Sequence, residues 1–129
     1  MVTPVRNEAE NLPRLAASLK AQTRPPTAWI VVDTGSTDDT LAIARGLQRL
    51  LPLLTAVDSG GTARVERGAP VTRAFQRGLD ALGDQPDVVV KLDADVSFDA
   101  DYFDRLLDEF EQDPELGIPR PAATGACSC

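Results

Sequence analysis

The chain has 129 residues, of which 43% are hydrophobic, so it is long enough for one domain with a buried core and too apolar to be largely disordered. Its formal net charge of −7, from 13 basic and 20 acidic residues, argues against nonspecific binding to nucleic acid. The absence of histidine excludes a Ser-His-Asp or Cys-His hydrolase in this polypeptide, and Cys127 and Cys129, one residue apart, form neither a disulfide framework nor a zinc site.

Strand and helix signals alternate from the first residues onward. Short apolar runs predict strands, and apolar residues spaced three and four apart predict helices. Ser36, three residues before Asp39, is the predicted N-cap of the second helix, with an acidic first turn. The predicted elements of this half are a strand at residues 2–5, a helix at about 8–21, a strand at 28–32, a turn at 34–37 and a helix over about 38–51.

The second half continues the alternation. Its predicted elements are a strand at residues 53–57, a glycine-containing loop at 58–68, a helix at 71–82, a fourth strand at 87–92 and a helix around 103–110. Asp99 or Asp101 is the predicted cap of the last helix. The order βαβαβαβα predicts an α/β fold of the Rossmann-like class, with a mainly parallel sheet and helices on its faces.

Acidic residues follow three of the four predicted strands. Glu8 follows the first strand, Asp33 ends the second, and Asp93 and Asp95 come directly after the fourth. Because ligands of open α/β sheets bind at the carboxyl ends of the strands, we expect these residues to lie along one ligand-binding edge. Two carboxylates one residue apart offer hard oxygen ligands to Mg²⁺ or Mn²⁺, which in turn neutralises phosphates. The sequence therefore predicts a nucleotide-diphosphate site.

Other interpretations of these acidic residues stay open at this point. Asp33 is also placed to cap the turn before the second helix, and Ser36 with Asp39 favours helix capping over ligand contact. An EF-hand loop starting at Asp93 would need glycine at its sixth position, where the chain has Phe98. A phosphatase of the haloacid dehalogenase type carries its D-x-D motif on an early strand, whereas this motif comes late. The P-loop and G-x-G-x-x-G patterns are both absent.

Three segments together resemble the family 2 glycosyltransferases of GT-A fold. They are TPVRNEAENL at residues 3–12, IVVDTGSTDDT at 30–40 and LDAD at 92–95, in the order and at the spacing of that family. The resemblance covers about residues 2–118. It implies an enzyme that transfers a sugar from a nucleotide-diphosphate donor, of UDP or GDP type, to an acceptor, with Mg²⁺ or Mn²⁺ at the D-x-D motif. The acceptor, whether a sugar, a lipid phosphate or another group, stays unassigned.

The resemblance also implies which residues meet the donor. Arg6 stands where the family often has tyrosine. The implied set is Pro4, Arg6 and Glu8 at the nucleoside, Val31 and Asp33 beside the base, and Asp93, Ala94 and Asp95 at the ribose and the metal-bridged diphosphate. Of these, the implied metal ligands are Asp95, as first choice, and Asp93.

The sequence departs from the family beyond Ile118. We expect residues 1–118 to form the nucleotide-sugar-binding half of an incomplete GT-A domain, and residues 119–129 to be an irregular tail produced by a frameshift. The strands that carry the acceptor site and, in inverting members, the general base are expected in a missing C-terminal half, so the catalytic residue is unassigned. The alternative function is a truncated, non-catalytic nucleotide-binding module.

Targeting signals are absent from the sequence. No apolar run reaches the roughly 18 residues of a membrane-spanning helix, and Arg6, Glu8 and Glu10 interrupt any signal-peptide pattern. We therefore expect a cytoplasmic protein without a membrane segment of its own, which reaches the inner face of the membrane through its acceptor.

Overall fold

A computed structural model describes residues 1–60, 69–83, 86–113 and 115. These residues form three strands and four helices. In chain order they are β1 (Val2–Val5), α1 (Asn11–Lys20), β2 (Trp29–Asp33), α2 (Thr40–Leu50), β3 (Leu54–Asp58), α3 (Ala69–Leu82) and α4 (Tyr102–Gln112). The predicted tail at 119–129, and the part of the predicted loop at 61–68, lie outside the described residues. None of the described helices is long and apolar enough to cross a bilayer.

The three strands form one parallel sheet in the order β1-β2-β3. Val5 lies opposite Asp33, and Asp33 lies opposite Asp58, so the three strands end at the same level. β2 has a strand on each side and is buried at all five residues, as expected for a strand covered on both faces. The predicted α/β fold with a parallel sheet and flanking helices is confirmed.

The sheet has a hydrophobic cluster on each face because side chains alternate along a strand. Trp29 and Val31 point to the face covered by α1, α2 and α4, where Leu12 and Leu15 of α1 have no exposed surface. The opposite face is covered by α3, and its cluster consists of Val2, Ile30, Val32 and Ala74, with Phe75, Leu79 and Leu82 partly buried against it.

The predicted fourth strand at residues 87–92 is reduced to a single bridge. Val2 and Lys91 form an isolated parallel bridge, in which the Val2 amide donates to Val90 O and the Leu92 amide to Val2 O, both at 2.9 Å. The segment is not buried on both faces, since Val89 is 40% exposed. Among the described residues, β1 is the only strand that pairs with this segment, and it does so on one side. The bridge still fixes the segment beside β1.

A buried hydrogen bond joins β1 to β2 inside the core. The indole Nε1 of Trp29 donates to the hydroxyl of Thr3 at 2.9 Å, and both residues are fully buried. Thr3→Val keeps the volume but leaves the indole N–H without a partner, so we expect it to lower the free energy of unfolding by about 1–2 kcal/mol. Urea unfolding measures this. In a Trp29→Phe background the same change should be near neutral, and an equal cost in both backgrounds would contradict this explanation.

Candidate functional site

The loops after β1 and β2 are joined by hydrogen bonds at the carboxyl-terminal edge of the sheet. Asn7 adopts a left-handed backbone conformation (φ 54°), and its backbone amide donates to the hydroxyl of Ser36 at 2.9 Å. Its side-chain Oδ1 accepts from the amide of Thr37 at 2.8 Å. The amide of Glu8 donates to Thr40 Oγ1 at 2.9 Å. We call these bonds, formed by Asn7, Glu8, Ser36, Thr37 and Thr40, the loop contact.

Side chains within the second loop support the loop contact. The hydroxyl and the amide of Thr40 both donate to Asp38 Oδ1, the amide at 3.0 Å. The hydrogen bond from the Thr40 hydroxyl is the main cause that lowers the pKa of Asp38 below its ordinary value, because it favours the charged carboxylate. The carboxylate of Glu8 accepts from Asn11 Nδ2 at 2.8 Å, at the start of α1. Glu8 is thus held between the loop contact and a helix terminus.

The predicted cap of α2 is wrong in part. α2 begins at Thr40, so Asp39 occupies the N-cap position, but its side chain makes no capping hydrogen bond. Ser36 lies outside the helix, and its hydroxyl donates to Asp33 instead. Ser36 therefore organises the turn that follows β2 rather than the helix.

Asp33 is buried at the end of β2, with 3% of its surface exposed. Its carboxylate accepts hydrogen bonds from the hydroxyl and the amide of Ser36, the latter at 3.3 Å. Its carbonyl oxygen accepts from both the amide and the hydroxyl of Ser59, at 3.0 and 2.8 Å. The turn-capping interpretation of Asp33 thus describes its contacts in the free chain. An ionised carboxylate offers about four acceptor positions, so capacity for a ligand remains.

The D-x-D segment alternates between core and solvent. Leu92 and Ala94 are buried in the hydrophobic core, whereas Lys91, Asp93 and Asp95 are exposed. In the parallel register Val2 lies opposite both Ile30 and Lys91, so the chain after Lys91 runs in the same direction as β2, and it turns at residues 94 and 95. Burial of Ala94 therefore places the two flanking carboxylates outward at the carboxyl-terminal edge.

The D-x-D carboxylates have different surroundings. Asp93 forms an ion pair with Lys91, whose Nζ lies 2.8 Å from Oδ1 of Asp93, and both side chains are substantially exposed. Within the residues the structure describes, the carboxylate of Asp95 makes no hydrogen bond or ion pair. Asp95 is thus open to a ligand in the free chain, whereas Asp93 already has a cationic neighbour.

A contact that the sequence did not reveal anchors the segment after the D-x-D motif. The amide of buried Gln22 donates from Nε2 to Asp99 O at 2.7 Å and accepts from the Phe103 amide at 3.2 Å. Asp101 occupies the N-cap position of α4, one of the two predicted, but its side chain makes no capping hydrogen bond. Capping comes from a residue 81 positions away, and no local pattern signals it.

Gln22→Met tests this anchor. The change keeps the length of the side chain but leaves the Phe103 amide without its acceptor and removes one of the two donors to Asp99 O, so the free energy of unfolding should fall by about 1–2 kcal/mol. Gln112→Met, at the exposed end of α4, is the matched control and should change the stability by less than about 0.5 kcal/mol. Chemical denaturation measures both variants. Equal stabilities would show that the anchor contributes nothing.

The structure separates the predicted site residues into three groups by exposure. Arg6, Asp93 and Asp95 are exposed, Pro4 and Glu8 are half-buried, and Val31, Asp33 and Ala94 are buried. The hydrogen bonds above bring Glu8 and Asp33 onto one joined pair of loops. The D-x-D segment lies on the other side of β1, two strand spacings from β2, which corresponds to roughly 10 Å.

The carboxylates fit a metal that is shared with a phosphate ligand. Among the described residues, no group of three or more acidic, histidine or cysteine side chains is arranged to hold a metal by itself. Mg²⁺ is usually bound by one or two carboxylates together with substrate phosphates and water, and Asp93 with Asp95 supplies such a pair. The donor set therefore suits an ion that is completed by a diphosphate.

A cavity of about 380 Å³ lies at the opposite, amino-terminal edge of the sheet. Its lining is largely apolar and includes Pro25, Pro26, Val88, Phe103 and Leu106. It is therefore separate from the edge that carries the acidic residues.

Comparisons with known proteins place the chain in a family. Residues 1–124 match the family model described as Glycosyl transferase family 2. Over 110 residues the chain is 31% identical to the succinoglycan biosynthesis protein ExoA of Rhizobium meliloti (strain 1021), which corresponds to 84% of this chain and 31% of that protein.

Solved structures show the same fold. The mannosyltransferase PcManGT from Pyrobaculum calidifontis, in complex with GDP-Man and Mn²⁺, is similar with a TM-score of 0.70 at 25% identity, over 90% of this chain and 32% of that one. S. aureus TarS 1–349, in complex with UDP-GlcNAc, gives a TM-score of 0.69 at 20% identity, over 92% and 36%. The chain thus spans about a third of the length of these relatives.

Proposed function

The chain belongs to glycosyl transferase family 2, and we propose that the carboxyl-terminal edge of its sheet binds the nucleotide-diphosphate part of a sugar donor. Residues 1–118 would form the donor-binding half of a GT-A glycosyltransferase. The observation that carries the proposal is the exposure of Asp93 and Asp95, on either side of buried Ala94, just after the bridge at Lys91 in a segment that runs in the same direction as β2.

The loops after β1 and β2 receive the nucleoside in this proposal. The carboxylate of Asp33 retains acceptor positions for a base or a ribose hydroxyl, and Arg6 offers a planar, exposed guanidinium that can stack on a base or contact a phosphate. Pro4 and Glu8 shape the first loop beside them. Val31 is fully buried in the free chain, so we assign it the support of β2 below the base rather than a direct contact.

The D-x-D segment receives the diphosphate. A protein with a net charge of −7 repels a phosphorylated ligand overall, so a local cation is needed to reverse the field. Asp95, the open carboxylate, is the first proposed ligand for Mg²⁺ or Mn²⁺, and Asp93 is the second. An ion held by these two carboxylates would neutralise the diphosphate and would thereby favour departure of the nucleoside diphosphate. Ala94 contributes by its burial, which orients both carboxylates.

The acceptor side of the reaction is a wider proposal. An acceptor hydroxyl or a lipid-phosphate oxygen would attack the donor sugar as the nucleoside diphosphate leaves. A hydroxyl acceptor would be assisted by a general base, to which we assign no described residue. We place the reaction in the cytoplasm, at the inner face of the membrane where a lipid acceptor would lie.

Calorimetry with UDP and GDP, each with and without Mn²⁺, tests the donor site. We expect metal-dependent binding of one nucleotide by the wild-type chain, and a loss of at least about tenfold in affinity for Asp95→Asn, since a carboxylate beside a divalent ion contributes more than the 1.4 kcal/mol this requires. Asp87→Asn makes the same charge change at the opposite edge and should bind as the wild type does. Binding that ignores both the metal and Asp95→Asn would refute the proposed site.

A second candidate function is a non-catalytic nucleotide-binding module. It is favoured by the fact that every contact proposed here holds the donor and none acts on an acceptor. Donor hydrolysis separates the two functions. Release of free sugar from UDP or GDP sugars in the presence of Mn²⁺ indicates an enzyme, and metal-dependent binding without turnover indicates the module.

A further inference from the structure

We infer that Lys91 couples metal binding to donor binding: it neutralises Asp93 in the free chain and contacts the diphosphate once a metal occupies the D-x-D carboxylates. The inference rests on the proposed donor site and adds a residue outside the D-x-D motif itself. It concerns the order in which the ligands bind, so its consequences are visible in binding measurements alone.

Lys91 is fixed at the edge of the site by its backbone. It is the residue of the isolated bridge with Val2, and the two 2.9 Å hydrogen bonds on either side of it, through Val90 O and the Leu92 amide, hold the segment against β1. Because side chains of an extended chain alternate, Lys91 and Asp93 project to the same side, away from buried Leu92. The lysine is therefore held beside the motif rather than reaching it by chance.

The ion pair makes the two carboxylates unequal. Asp93 has Lys91 Nζ at 2.8 Å, whereas the Asp95 carboxylate has no hydrogen bond or ion pair among the residues described. A metal without a donor molecule would meet one open carboxylate and one already neutralised. For the metal to bind Asp93, the ammonium group of Lys91 must move away, because the two cations repel each other at one carboxylate. Metal alone should thus bind weakly.

Arrival of the metal together with a diphosphate removes this conflict. An ammonium group has three N–H donors, and Lys91 uses one of them on Asp93 in the free chain. Once displaced from Asp93, the ammonium group of Lys91 would be free to contact the diphosphate of a bound donor, since Lys is a frequent point-charge partner of phosphate. The positive charge of Lys91, once displaced from Asp93, therefore attracts the diphosphate of the donor. Binding of the metal thus favours binding of the donor, and the reverse.

Two titrations on Lys91→Met test the coupling. With Mn²⁺ alone, followed by the electron paramagnetic resonance signal of free Mn²⁺, the variant should bind the ion about two- to fivefold more tightly, the range that an exposed ion pair supports. With UDP or GDP in saturating Mn²⁺, followed by calorimetry, it should bind the nucleotide about three- to tenfold more weakly. Lys20→Met removes the same charge from the exposed last turn of α1 and should change neither affinity.

The opposite directions of the two changes distinguish coupling from a general electrostatic effect. If Lys91→Met alters neither affinity, or moves both in the same direction, the inference is overturned while the donor site stands. If the wild-type chain binds neither nucleotide at any Mn²⁺ concentration, the proposed function fails, and the inference fails with it. Lys91→Arg keeps the charge and should retain both wild-type affinities to within about twofold.

Discussion

Gly78→Ala should lower the free energy of unfolding by about 3 kcal/mol, the upper end of the range for an overpacked core. A Cβ atom at Gly78 of α3 would lie 2.3 Å from Cγ1 of Val2, which is fully buried in β1. Valine is branched at Cβ and has one strongly preferred rotamer in most settings, so it cannot turn away at low cost. Helix and strand approach each other this closely because position 78 has no side chain.

The same substitution at Gly46 is the matched control. Gly46 lies in α2, and a Cβ atom there would meet nothing within 4 Å. Alanine at this position should raise the free energy of unfolding by about 1 kcal/mol through helix propensity alone. Urea denaturation of both variants gives the comparison. In a Val2→Ala background, Gly78→Ala should cost much less than alone, and an undiminished cost would show that contact with Val2 is not the cause.

The sequence predicts those parts of the fold that depend on periodic burial. The apolar residues that recur three and four apart in α1, namely Leu12, Leu15, Ala16 and Leu19, are all buried, and the uninterrupted apolar run of β2 is covered on both faces. In these elements the spacing of the apolar residues along the sequence matches the positions that are buried in the fold. The parallel order follows from the alternation of strands and helices.

Prediction fails where the outcome depends on a distant partner. The run at residues 87–92 is apolar enough for a strand, but strand pairing requires neighbours, and within the described part of the chain β1 is the single one. Gln22 caps α4 through a contact that no local spacing encodes, because the two residues that it joins are 81 positions apart. The acidic residues of the site were identifiable because they follow apolar runs that predict where strands end. The polar contacts that orient them were not.

Asn7→Ala should lower the free energy of unfolding by about 2–3 kcal/mol, because two separate contributions are lost at one position. The left-handed backbone at φ 54° costs a residue such as alanine about 1–2 kcal/mol, whereas asparagine tolerates it. The side-chain Oδ1 also accepts from the amide and the hydroxyl of Thr37, at 2.8 and 3.3 Å, and these two exposed bonds together contribute about 1 kcal/mol. Both contributions hold the loop contact in place.

Three substitutions at Asn7 separate backbone strain from hydrogen bonding. Asn7→Asp retains an acceptor oxygen and tolerates the left-handed conformation, so its stability should stay close to that of the wild type. Asn7→Gly relieves the strain but loses the acceptor, which predicts an intermediate value. If glycine and alanine are equally destabilising, strain plays no part. If the loop contact also positions the nucleoside-binding residues, affinity for UDP or GDP with Mn²⁺ should fall in the same order, whereas unchanged affinity across the series would assign the loop contact to stability alone.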